Sequence, residues 1–168
     1  MRREINSEEL GFFYRATGEA IWQLQYVEDS LCKFYIVICI HFGCDGITRE
    51  NAEMNQKKVS RKTLGQLIGL LERTERVQNS MLSNLKEFNS LRKWVVHNSM
   101  RESGQDLYTD HGRDEFAKKL LVFSNMAKSI HNSISDSLMH LVTTAGHATE
   151  EQIIRKANIE IDRLKGKA

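Results

Sequence analysis

The sequence predicts an all-α protein, an antiparallel up-down four-helix bundle with an additional C-terminal helix. Three observations carry that expectation. Apolar residues recur at three- and four-residue spacing along most of the chain. Proline is absent, so the commonest breaker of helix interiors is missing throughout. Polar links separate the periodic stretches, and a chain of 168 residues can bury a core without a disulfide or a metal.

The first helix is expected over residues 7–42. Ser7, Glu8 and Glu9 form its start, with acids at the positive end of the helix dipole. Leu10, Phe13, Thr17, Ile21, Leu24, Leu31, Tyr35 and Ile38 mark its inner face, with a kink near Gly18. Residues 34–42 are rich in β-branched side chains, so a strand is the alternative there. Gly43 and the Cys44-Asp45-Gly46 turn end the element. Residues 43–60 read as a polar connection.

Ser60 or Thr63 caps the second helix, whose core is Leu64, Leu67, Ile68 and Leu71. Gly65 and Gly69 share one face of it and let another backbone come close. The third helix spans 79–99 on Leu82, Leu85, Phe88, Leu91, Val95 and Val96. Residues 102–112 read as a loop. The fourth helix runs over 113–143, carrying Phe116, Leu120, Phe123, Ala127, Ile130, Ile134, Leu138 and Leu141. Ala145-Gly146-His147 breaks the pattern before a last helix over 148–164 with Ile153, Ile154, Ala157, Ile161 and Leu164. The division expected is thus a bundle over 1–147 and a terminal helix over 148–168 that packs on the bundle or on a second subunit.

Forty per cent hydrophobic residues, 27% charged residues and a formal net charge of +2 describe an ordinary soluble domain. Near-neutrality does not announce a nucleic-acid binder, though it leaves room for a local basic patch. Cys32, Cys39 and Cys44, odd in number and clustered, read as reduced thiols of a cytoplasmic protein. No secretion signal is legible at Met1-Arg2-Arg3-Glu4, and the run from Phe34 to Phe42 is too short to span a bilayer, so no membrane is expected. Cys39, His41 and Cys44 could ligate a metal, but no second cluster completes a four-ligand site. Buried thiols are the better reading, and neither metal nor cofactor is expected.

The candidate chemistry lies in Leu91-Arg92-Lys93-Trp94-Val95-Val96-His97-Asn98. Arginine holds a phosphate by a forked, charged hydrogen bond, and histidine moves a proton near neutral pH. On an ideal helix Arg92 and His97 stand ~7.5 Å apart along the axis and roughly 140° apart around it. One straight helix therefore cannot aim both at one phosphate. Either the helix ends before His97 or two chains meet across a twofold axis. Asn89 and Asn98 are available as orienting groups. Lys57, Lys58, Arg61 and Lys62 form the densest basic run, fit to hold an RNA backbone or simply a solvated helix start. Trp94 fits a dimer contact and core packing equally well. Under a purely structural reading, Arg92 pairs with Glu87 or Glu102, and His97 is favoured near a helix C-terminus by the dipole alone.

Thr63-Leu64-Gly65-Gln66-Leu67-Ile68, then Leu85 and Phe88, then Arg92 through His97, resemble the HEPN superfamily (higher eukaryotes and prokaryotes nucleotide-binding domains). The resemblance covers the helix order over about residues 7–143; its specific part is residues 63–97. It implies a dimeric four-helix bundle. It also implies a metal-independent endoribonuclease of a bacterial toxin–antitoxin or phage-defence system, with RNA as substrate and an antitoxin or other protein as partner. Arg92 would grip the scissile phosphate and His97 would transfer or orient the proton. The 2′-hydroxyl would attack the adjacent phosphate, leaving a cyclic phosphate and a 5′-hydroxyl, so DNA would be spared. The chain departs from the pattern at Lys93, where active members carry Asn, Asp or His; a charged lysine accepts no hydrogen bond. That favours a noncatalytic dimeric module binding a nucleotide, RNA or a partner protein as the alternative. A toxin-capping immunity protein is a third reading.

Overall fold

The computed structural model describes residues 2–146 and 148–166, and its described residues form an all-α chain with no strand. The helices are α1 (Ser7–Phe42), α2 (Ala52–Val59), α3 (Leu64–Thr74), α4 (Asn79–Lys93), α5 (Ser99–Ser103), α6 (Asp110–Thr144) and α7 (Glu150–Leu164). A π turn, Trp94–Asn98, joins α4 to α5, and a 3₁₀ turn, Asp106–Tyr108, precedes α6.

α1 is continuous to Phe42, so the strand alternative over residues 34–42 falls away. Its cap is Asn6, one residue before the expected serine; the Asn6 side chain accepts from Glu9 N–H, and Glu9 accepts from Asn6 N–H. Thr63, rather than Ser60, caps α3, in a reciprocal box with Gln66. The expected polar connection over 43–60 contains α2. That helix is short, buries only Val59 and has no side-chain cap bond at Asn51, so it gave no periodic signal. The expected loop over 102–112 holds the end of α5, the 3₁₀ turn and the first turn of α6. His147, part of the expected break, lies outside the described residues, as do Met1, Lys167 and Ala168.

Contacts set the helix directions. Phe13 meets Phe116 at 5.3 Å, and farther along both helices Ser30 meets His131 at 2.7 Å, so α1 and α6 run side by side in the same sense. α4 opposes both. Phe88 stacks on Phe123 at 4.7 Å while the later Trp94 meets the earlier Phe116 at 5.6 Å. α3 also opposes α4: Gly65 abuts Asn89, and Glu72 pairs with Lys86. The unforeseen α2 supplies the extra reversal that leaves α1, α3 and α6 pointing one way.

Phe88, Phe123, Leu31, Leu64, Leu71, Leu85, Leu120 and Ile134 are fully buried where these helices meet. Each such side chain contributes roughly 1.5–3 kcal/mol through removal of its apolar surface from water. None of the residues of α7 is fully buried, and α7 contributes no side chain to this core.

The starts of α1 and α6 are tied together by polar groups. Arg3 N–H donates to the Tyr108 carbonyl at 2.8 Å. The side chain of Arg113, only 6% exposed, donates to the Leu107 carbonyl at 2.7 Å and pairs with Asp110 and Glu9. Gly112 is required there, because a Cβ would stand 2.1 Å from the Asp106 carbonyl oxygen.

Candidate functional site

Arg92 sits in the last turn of α4, facing the seam with α1 and α3. Its side chain is 20% exposed, and its Nε lies 4.0 Å from Glu28 Oε1 of α1. That Nε is buried and makes no hydrogen bond within the described residues. Glu28, not Glu87 or Glu102, is therefore its acidic neighbour. Burial pushes the Glu28 carboxyl above its ordinary range, against the opposing pull of Arg92 and of the Leu64 N–H at the start of α3.

Asn89, one turn before Arg92, is half-buried against α3. Its amide nitrogen would lie 3.3 Å from a Cβ placed on Gly65, so the glycine sets how closely α3 approaches this turn. Sequence reasoning found Gly65 and Asn89 but missed Glu28. A signal existed: Glu28 lies beside Val27 and between Leu24 and Leu31, an acid bordering the buried stripe of α1.

The π turn begins two residues after Arg92 and contains His97. Ser99 N–H donates to the Trp94 carbonyl five residues back, the wider spacing that defines such a turn. A wider turn brings residues five apart closer to one side, so Arg92 and His97 are offset by less than the roughly 140° of an uninterrupted helix. Such turns occur frequently at functional sites. Nothing in the helical spacing of the sequence announced it.

His97 is exposed, and among the described residues it makes no hydrogen bond. Lys93, next to Arg92 in sequence, is exposed as well. Asn98 is half-buried and accepts from Arg101 at 2.8 Å, so its carbonyl oxygen is already engaged. Trp94 turns inward, against Phe116 of α6, with the Lys119 ammonium 4.8 Å from its ring. Trp94 thus packs, partly buried, against the core of its own chain.

The basic run divides. Lys57 and Lys58 are exposed in the last turn of α2, and Arg61 is exposed in the link to α3. Lys62 alone joins the Arg92 neighbourhood, lining with Glu28, Asp29 and Ser60 a depression of about 230 Å³ beside α1. Arg92 and His97 do not line it. Larger depressions lie elsewhere: between α1 and α6, near Phe34 and Met81, and, at about 680 Å³, between Thr143 and the first turn of α7. The chain thus places Arg92 in a seam and His97 on the surface within the π turn, without a shared pocket among these.

No protein-family model matches the chain, and no curated protein or solved structure matches it.

Proposed function

We propose that the chain is a HEPN-like, metal-independent endoribonuclease of the cytoplasm that works as a homodimer in a bacterial toxin–antitoxin or phage-defence system. The four helices of the bundle in this reading are α1, α3, α4 and α6. The observation that carries the proposal is an arginine with an unspent buried donor just ahead of a π turn that presents an exposed histidine. Nε itself is shut off from solvent, but the outer guanidinium nitrogens make no hydrogen bond among the described residues either, and they can take a phosphate oxygen without first giving one up. An exposed imidazole can reach a ribose hydroxyl on a bound strand.

Arg92 grips the phosphodiester, and His97 takes the 2′-hydroxyl proton as that oxygen attacks phosphorus and the 5′-oxygen leaves. Asn89 holds the turn carrying Arg92 against Gly65. Lys93 adds charge toward the backbone, and Lys57, Lys58, Arg61 and Lys62 extend it along the strand. The partner subunit completes the cleft that one chain lacks. An antitoxin protein that covers His97 would silence it.

One observation favours the noncatalytic alternative: Glu28 occupies the neighbourhood of the Arg92 guanidinium and competes with phosphate. In that reading the dimer binds a nucleotide, RNA or a partner protein without cutting. Purified protein incubated with end-labelled single-stranded RNA in excess chelator separates the two. The enzyme leaves cyclic-phosphate ends, and His97→Ala lowers the rate by about 10²- to 10⁴-fold. Bound but intact RNA supports the module, and cleavage by His97→Ala at the wild-type rate removes the catalytic assignment.

A further inference from the structure

The corner where α1 ends brings two thiols together. On a continued helix Cys39 and Cys44 would stand ~7.5 Å apart along the axis and roughly 140° apart around it. The helix does not continue. Gly43 takes a left-handed φ of 69°, and the N–H groups of Gly43 and Cys44 both turn back to the Cys39 carbonyl, that of Cys44 at 3.0 Å. Such a reversal lays the residue after the left-handed one against the residue five back, a contact that apolar side chains usually fill. Here both positions are cysteine, and the Cys39 thiol is within hydrogen-bonding reach of the Cys44 thiol.

The corner is held in this shape. The Tyr35 hydroxyl donates to Asp45, which is itself left-handed at φ 53°. Ile47 N–H donates to the Cys44 carbonyl at 3.2 Å, and the Asn51 amide donates to the Gly46 carbonyl at 3.0 Å. The third cysteine is out of reach. Cys32 lies two turns back on α1, ~10 Å from Cys39 along the axis, beyond the ~7 Å between Cα atoms that a disulfide spans. Its thiol faces the Gln56 carbonyl of α2 at 3.7 Å.

The paired thiols differ in access. Cys39 is 0% exposed, and burial, then the neighbouring Cys44, pushes its pKa up to about 12, so it stays protonated near neutral pH. Cys44 is only partly buried. We infer that Cys39 and Cys44 form a redox modification site, a dithiol that hydrogen peroxide closes to a disulfide. Cys44 reacts first: its sulfur attacks one peroxide oxygen, the S–O bond forms as the O–O bond breaks, and the hydroxide released takes the thiol proton and leaves as water. The Cys39 sulfur then attacks the sulfenic sulfur of Cys44. The S–S bond forms as the S–O bond breaks, and the departing hydroxide takes the Cys39 proton as a second water. The two thiols lose two electrons in all, and the peroxide gains them. With Cys39 already in place, closure outruns further oxidation of Cys44 to the irreversible sulfinic acid. The site is independent of Arg92 and His97.

Mass spectrometry of the full chain tests it. The native protein is exposed to hydrogen peroxide until free glutathione in the same tube is consumed, quenched with acid, unfolded, alkylated and cut with trypsin. Cleavage after Lys33 and Arg49 leaves Cys39 and Cys44 on one fragment, residues 34–49, and Cys32 on another. The expected product is a 34–49 fragment lighter by two hydrogens that takes no alkylating agent until dithiothreitol is added, with Cys32 still alkylated. In Cys44→Ser, which should keep the wild-type far-ultraviolet circular dichroism, Cys39 should be oxidised at least ~10-fold more slowly than the wild-type pair closes. A 34–49 fragment that keeps both thiols, that gains oxygen without closing, or that pairs with Cys32 or a second chain overturns the proposal. So does oxidation of Cys39 in Cys44→Ser at the wild-type rate, since peroxide would then reach the buried thiol first.

Discussion

Two arginines in this molecule lie in helix seams beside acids, and they are treated oppositely. The side chain of Arg113 is 6% exposed, bonded to the Leu107 carbonyl, and flanked by Asp110 and Glu9, with Arg3 completing the network. That of Arg92 is 20% exposed, stands 4.0 Å from Glu28, and leaves Nε without a partner. Arg113 has spent its donors tying the starts of α1 and α6 together. Arg92 has not. A desolvated donor with no partner costs roughly 1–3 kcal/mol, and two such donors among the described residues, Arg92 Nε and Trp94 Nε1, stand two residues apart at the end of α4.

Deleting each guanidinium sharpens the contrast most. Arg113→Met strands the Leu107 carbonyl and leaves Glu9 and Asp110 without their buried cation, so it should lower unfolding free energy by about 3 kcal/mol in urea titration. Equal stability of this variant and the wild type would break the comparison.

A second, smaller effect concerns pH, and the two regions should respond with opposite sign. Glu28 has its folded pKa raised by burial, so the folded state holds the proton more tightly. Its contribution is present at acid pH and lost as pH rises through the window just above the ordinary carboxylate range. Glu9 is the reverse. Its hydrogen bond from Arg3, then that from Asn6 N–H, pushes its pKa down to about 2, so its contribution is present above the ordinary carboxylate range and lost as pH falls toward that value. Glu28→Gln should therefore remove a decline in stability on the rising-pH side. Glu9→Gln should remove one on the falling side. Unfolding curves collected across pH read both, and a matching sign would contradict the assignment.

The smallest expected change is at Gly65. Alanine there gains about 1 kcal/mol of helix propensity but presses on the Asn89 amide, which must give by a few tenths of an ångström. The net stability change should stay within ~1 kcal/mol, while RNA cleavage falls because the turn carrying Arg92 shifts. Unchanged cleavage would separate Asn89 from the site.

Much of the fold was legible. Long runs with three- and four-residue apolar spacing and no proline place α1, α3, α4 and α6 within a few residues of where they lie. α2 escaped because Ala52–Val59 buries a single side chain. The helix directions escaped with it, because an unseen reversal changes the sense of all that follows. Arg92 and His97 were legible as residue types at a spacing. Their environments were not: the π turn is a backbone adjustment set by packing, and Glu28 is 64 positions away in sequence from the arginine it faces.

The central claim is that Arg92 is kept for a ligand and not for the fold. Its most direct test pairs cleavage of single-stranded RNA in excess chelator with unfolding of the same Arg92→Ala sample. The account predicts cyclic-phosphate products from wild type, none from the variant, and a variant at least as stable as the wild type, since the stranded Nε–H leaves with the side chain. A wild type that leaves RNA intact, or an Arg92→Ala as destabilised as Arg113→Met, would contradict it.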